Sequence, residues 1–358
     1  MSTDPQELAR VHSGIDSTEA PHAAPARQWS PLGRGWFLVL LFTQFVILFG
    51  AVVRITGSGA GCGQHWPTCH GELAHLPQSL ETAIELTHRV TSGLSALLVF
   101  GMTWLVFRAF PRGHQVRQFA GLSSLFMIFE SLVGAALVLL RLVGNNDSVG
   151  RAVIMGLHLV NTLALVGAMS ITLWLILYAP PQRGQLVSSQ LFLSFSGARD
   201  LQRWAWWGAA VIAAVSAAGA ITALGDTLYP VAQASTESAL VVLEEATRTE
   251  GVHFLQILRG GHPIVAVLGS AFLMMGAGRL SDAEERSEDR EAEVTPRTFY
   301  ARVIASLVVT QVLAGLLNIS LSAPGWMQVV HLGIANLLWM SWVWGWLFVA
   351  SETRSETS

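Results

Sequence analysis

The chain has 358 residues, of which 52% are hydrophobic and only 13% charged, and its formal net charge is −3. Soluble domains carry about 25% charged residues, so a soluble enzyme is excluded, and so slight an acidic balance gives no footing for nucleic acid. What remains is an all-α integral membrane protein.

In chain order, the first 35 residues are polar, with Pro and Ala. They read as a disordered cytoplasmic tail without the apolar stretch and cleavage site of a signal peptide. Runs such as "GWFLVLLFTQFVILFGAVV" then suffice to cross a hydrocarbon core of about 30 Å. Eight transmembrane helices are expected, at 36–54, 84–107, 118–141, 152–178, 203–224, 254–277, 299–320 and 327–350. An outer loop over 55–83 joins the first two. A connection over 179–202 reads as a cytoplasmic linker between two four-helix halves, 36–178 and 203–350, and 351–358 as a short cytoplasmic tail. The chain has no lysine, and with the N-terminus inside, 15 of the 21 arginines are cytoplasmic. The positive-inside rule therefore puts both termini in the cytoplasm and the 55–83 loop outside the cell membrane.

The halves echo each other. Span one ends in "FGAVVRITGSG" and span five in "AGAITALGDTL"; span three carries "ESLVGAALV" and span seven "QVLAGLLNI", which aligns Glu130 with Gln311. Each half has an even number of spans, so the expected architecture is a parallel repeat of two four-helix bundles. Histidines mark the repeat most sharply. His88 and His158 lie 70 residues apart, and His262 and His331 lie 69 apart, on the second and fourth span of each half. All four fall in the first turns after the outer face, hence in the outer half of the bilayer. A single buried histidine is as often a hydrogen-bonded core residue as a ligand, but four at matched positions point to two bis-histidine clamps for a planar metal macrocycle. Zinc would want further ligands, for which the first half offers Glu85 and the second half nothing.

Glu85 lies three residues before His88, on the same helix face. Two readings stand: a carboxylate that hydrogen-bonds substrate or relays protons, and a helix N-terminal acid favoured by the macrodipole. The second half has Arg259 at that position, an asymmetry expected if one site performs chemistry and the other carries electrons. Arg54, Arg89, Arg151 and Arg259, near outer helix ends, are candidate partners for haem propionates and equally for lipid headgroups. The loop "TGSGAGCGQHWPTCHG" holds the only two cysteines, and its outer placement predicts a Cys62–Cys69 disulfide. That bond can be a staple or a redox-active pair, and the loop can form a lid over the first site. The tryptophans, near span ends, are expected in the interfacial belt.

The stretch "VRITGSGAGCGQHWPTCHGEL", the following "ELTHR" and the four paired histidines resemble the haem A synthase family. The resemblance implies an eight-helix enzyme that oxidises the C8 methyl group of haem O to a formyl group by successive hydroxylations, giving haem A for cytochrome oxidase. It implies that His88 and His158 hold the substrate haem, that His262 and His331 ligate a resident haem B, and that Glu85 is the functional carboxylate. Cys62 and Cys69 match a loop pair found in one branch. The enzyme supplying haem O and cytochrome oxidase assembly factors are the partners implied. His262-Pro263 departs from the His-Arg pair of the first half and leaves His253 as the alternative ligand; the repeat spacing favours His262. Two other classes compete: a di-haem b-type cytochrome linked to quinone, and a transporter built from parallel repeats.

Overall fold

A computed structural model describes residues 29–72, 75–178, 199–230, 253–282 and 295–355. The expected tail over 1–28, the linker over 179–198 and the acidic connection over 283–294 lie outside the described residues, as do the side chains of 351–358. The helices are α1 (Pro31–Ile55), α2 (Leu80–Ala109), α3 (Gln115–Leu139), α4 (Val149–Tyr178), α5 (Arg199–Leu228), α6 (Phe254–Arg259), α7 (Gly261–Asp282), α8 (Pro296–Ser320) and α9 (Gly325–Ser355). No strand occurs among the described residues. The short α6 and α7 make one span, so eight helical segments are long and apolar enough to cross a membrane. The chain is a multi-pass membrane protein.

Helix ends follow local chemistry. α1 starts at Pro31, earlier than the expected 36, because Ser30 caps the Gly33 N–H (3.1 Å) and Pro31 suits the first turn. α2 starts at Leu80, not 84, with Ser79 accepting from the Thr82 N–H at 3.2 Å. α5 starts at Arg199, inside the stretch expected as linker. Pro263 sits in the first turn of α7, where its missing N–H has no helical partner to lose. α3 and α8 end alike: Leu142 N–H bonds to Leu137 O (2.8 Å) and Ala323 N–H to Asn318 O (2.7 Å), with Arg141 and Ser322 at positive φ. These are matched positions of the internal repeat, closed by the same left-handed cap.

In the first half α1 packs on α2, α2 on α3, α3 on α4 and α4 back on α1; in the second, α5, α7, α8 and α9 close a ring in the same order. The rings meet along α1, α4, α5 and α9. α4 is the most enclosed helix, buried almost all round from Leu163 to Leu177, as its unbroken apolar sequence requires. Large apolar side chains such as Leu97 (69% exposed) and Leu268 (68%) face outward, where lipid covers them.

The core fills one end of the molecule. It gathers Trp36, Val106, Met169, Trp174, Leu280, Ile304 and Trp342, from the starts of α1 and α8 and the ends of α2, α4, α7 and α9. The tryptophans therefore divide. Trp66, Trp104 and Trp326 are exposed, but Trp36, Trp174 and Trp342 are fully buried, which corrects the belt expectation for these three. Trp36 Nε1 donates to Met169 O (2.9 Å), Trp339 to Leu163 O (2.8 Å) and Trp342 to Ala205 O (3.1 Å), so indoles pin one helix to the next.

Trp342 lies between two glycines. A Cβ on Gly208 would sit 1.9 Å from its Cζ2, and one on Gly276 2.5 Å from its Cη2. Gly208→Ala is therefore expected to displace the indole and cost about 1–3 kcal/mol, seen as a lower Tm for the protein in detergent.

Candidate functional site

The histidines occupy the other end of the bundle. His88 (α2) lies against α1, where a Cβ on Gly50 would be 3.1 Å from its Cε1; His262 (α7) meets Gly219 of α5 at the same 3.1 Å. Gly50 and Gly219 are equivalent in the repeat, so a bare backbone makes room for an imidazole in each half. His88 and His158 are close enough to interact electrostatically. The His262 and His331 rings face each other with centroids 6.4 Å apart. Two metal–imidazole bonds of about 2 Å each together with the ring radii span about that distance.

The four Nδ1 atoms are buried and lack hydrogen-bond partners; that of His262 lies toward the Val215 backbone without proper bond geometry. A buried polar atom left unpaired costs about 1–3 kcal/mol; the nearest protein acceptor to His158 Nδ1 is Glu130 Oε1, 3.5 Å away. Gly156, two residues before His158 and so on another face of α4, is buried, yet a Cβ there would meet nothing within 4 Å. Paired imidazoles whose rings stand about two metal–nitrogen bonds apart, as His262 and His331 do, are a donor set that fits a haem.

Glu85 is 3% exposed and belongs to the loop as much as to α2. Its Oε2 accepts the Cys62 N–H at 2.7 Å, and its Oε1 takes Arg89 Nε at 3.0 Å and Arg89 Nη2. Arg89 reaches on to the carbonyls of Thr68 (2.7 Å) and His65. Thr82 Oγ1 donates to Gly61 O at 2.7 Å. Cys62 and Cys69 form the expected disulfide, both buried, and left-handed Gly57, Gly63 and Gly71 shape the turns around it. The polar loop is thus seated on α2 through Glu85 and Arg89. His70 and His75 lie beside Cys69 with ring centroids 4.8 Å apart and planes tilted by 52°, but Cys69 is in the disulfide and offers no thiolate.

All four candidate propionate arginines have protein partners. Arg54 crosses from α1 to Ala223 O (2.6 Å) and Thr227 Oγ1 (2.7 Å) of α5 and Gln328 Oε1 (2.9 Å) of α9. Arg151 binds Gly144 O and Asn146 O at 2.6 and 2.7 Å. Arg259 pairs with Asp226 at 2.6 Å and reaches Tyr229 O. Arg89 is described above. His253 caps α6, stacks on Tyr229 with centroids 5.0 Å apart and has Nε2 3.5 Å from Asp147, whereas His262 is the residue that faces His331.

Three polar residues beside His158 escaped the sequence reading as site residues. Glu130 of α3 has Oε1 3.5 Å from His158 Nδ1 and is held by Asn161 Nδ2 and Thr162 Oγ1, both at 2.6 Å. The signal was available: an ionisable residue in mid-span is a functional candidate by default, and Glu130 was aligned with Gln311 only as a repeat marker.

The fold and site define a class: a helical membrane protein with two pairs of histidines at one end of the bundle and a loop anchored there by a carboxylate. The model of the COX15-CtaA family, cytochrome oxidase assembly protein, matches residues 34–85 and 78–343, and the chain belongs to that family. It is 43% identical over 318 residues to a protoheme IX farnesyltransferase of Thermus thermophilus, covering 88% of this chain and 48% of that protein. It is 35% identical over 153 residues to a heme A synthase of Exiguobacterium, 43% of this chain and 48% of the relative. A heme A synthase of Bacillus cereus is 41% identical over 105 residues, 29% of this chain and 34% of the relative. The chain spans about half the length of the Thermus relative.

Two outcomes follow from this geometry. A Cβ on Gly61 would lie 2.6 Å from the Glu81 carbonyl; Gly61→Ala is expected to lift the loop from α2, speeding reduction of the disulfide by a membrane-impermeant phosphine. The Tyr229 hydroxyl donates to Asp147 at 2.6 Å and, with His253 nearby, holds that carboxyl below its usual range. The contact between halves is then complete above the usual carboxylate range and lost only as pH falls through the depressed value. Hydrogen exchange across 144–148, corrected for intrinsic rates, should rise on acidification, and at a higher pH in Tyr229→Phe.

Proposed function

We propose that the chain is a haem A synthase, oxidising the C8 methyl of haem O to the hydroxymethyl group and then to the hydrate, which loses water as the formyl group; the four electrons removed pass to an external electron acceptor, and the oxygen atom comes from water or dioxygen. The observation that carries the reading is the pairing of four histidines in two like sites, only one of which has Glu85 and the tethered loop beside it. In this reading His88 and His158 hold the substrate haem in the half 36–178, and His262 and His331 hold haem B in the half 203–350. Haem B, when bound, supplies a one-electron store. The two halves act as a parallel repeat, both termini are cytoplasmic, and the Cys62–Cys69 loop covers the substrate site from outside.

The protein's own part is to orient and to handle protons. Glu85 receives protons at its carboxylate oxygens, Arg89 and the Cys62 N–H fix where those oxygens point, and the loop excludes water from the reacting methyl. Arg54 and Arg259 hold the outer ends of the helices around the haem edges. Haem O, the enzyme that supplies it and the oxidase assembly machinery are the proposed partners. A relative named for farnesyl transfer to protoheme IX accords with a role on a prenylated haem.

The test is chromatography of haems extracted from purified protein, made with and without a source of haem O. Haem B together with haem O or haem A supports the synthase. Haem B alone, unchanged by haem O, would favour the di-haem cytochrome. Glu85→Ala is expected to keep both haems and lower haem O oxidation by about 10²-fold or more; full activity would remove Glu85 from the mechanism.

A further inference from the structure

We propose that Glu130 is a positioning residue for His158, and that it makes the two histidine sites electronically unlike; this rests on the reading above, in which His158 ligates the substrate haem. A histidine that gives one nitrogen to a metal carries its proton on the other, and a carboxylate accepting that proton strengthens the ligand. Glu130 stands in that place, with Oε1 3.5 Å from His158 Nδ1.

The carboxylate is held for the purpose. His158, Asn161 and Thr162 share one face of α4, and Glu130 reaches down from α3 onto it. Thr162 Oγ1 donates to Oε1 and Asn161 Nδ2 to Oε2, each at 2.6 Å. Asn161 also donates to Phe126 O at 2.9 Å and so is fixed to the helix that bears Glu130. With two donors in place, the direction left to the carboxylate is toward the imidazole.

The other half lacks every part of this device. Aligned on His331, Ile334 stands for Asn161 and Ala335 for Thr162, and Gln311 replaces Glu130. Gln311 meets Nε2 of His331, at 3.1 Å, and its own Oε1 is buried without a partner. Nδ1 of His331 has no acceptor. The carboxylate and both its donors change together, so the difference is one of design at a single site rather than three unrelated substitutions.

A stronger imidazole donor stabilises the oxidised iron, so the first-half haem is set at the lower potential. The experiment is a potentiometric titration of both haems in wild-type and Glu130→Gln protein. Gln311 shows that an amide is tolerated at this position of the fold, and the second-half haem is the internal control. The expected result is a higher midpoint for the first-half haem with the other unmoved. Unmoved midpoints with both haems present overturn the proposal. Two haems in the wild type show that both histidine sites are occupied, so a failure of His158 to ligate a haem is separately visible in the same titration. If Glu130→Gln releases the first-half haem, the reciprocal set Gln311→Glu, Ile334→Asn and Ala335→Thr carries the test: a lower midpoint for the second-half haem supports it, an unchanged one overturns it.

Discussion

A polar side chain inside a bilayer has no water to fall back on, so it must be satisfied by the protein or by something the protein binds. Everything else in this molecule is arranged around that constraint. One end of the bundle obeys it by exclusion, packing Trp36, Trp174 and Trp342 into an apolar core and giving the indole N–H groups of Trp36 and Trp342 backbone acceptors. The other end concentrates polar groups and pairs many of them: Arg54 with α5 and α9, Arg259 with Asp226, Glu85 with Arg89 and the loop. The Nδ1 atoms of His88, His158, His262 and His331 are among the buried atoms left without a hydrogen bond.

Much of this was legible in the sequence because membrane helices are written in long apolar runs. All eight spans were readable, and so was the disulfide, since only two cysteines exist. The histidines were legible because the internal repeat supplied a second copy of each. Helix starts were misjudged where a cap overrode hydropathy, as at Ser30 and Ser79. Contacts between distant segments left no pattern to read. Nothing in the order of residues says that Glu85 accepts from Cys62, that Arg54 leaves its own half, or that Glu130 lies beside His158. Those depend on how helices rotate against each other, which a period of 3.6 does not specify.

The repeat also explains why the two sites can differ. Matched glycines and matched helix caps keep the scaffold the same in both halves, so substitutions at Glu85, Glu130 and Asn161 alter the chemistry of one site without moving the other.

Arg54 has a consequence for how the molecule is made. It belongs to α1, yet its hydrogen-bond partners lie on α5 and α9, 169 or more residues later in the chain. A guanidinium at that depth is costly in lipid while it waits. The first half by itself is therefore an incomplete object, bearing a charge that only the second half can neutralise with dipoles. Biogenesis is thereby coupled across the whole chain, and a truncated product would display an unmatched arginine to membrane quality control.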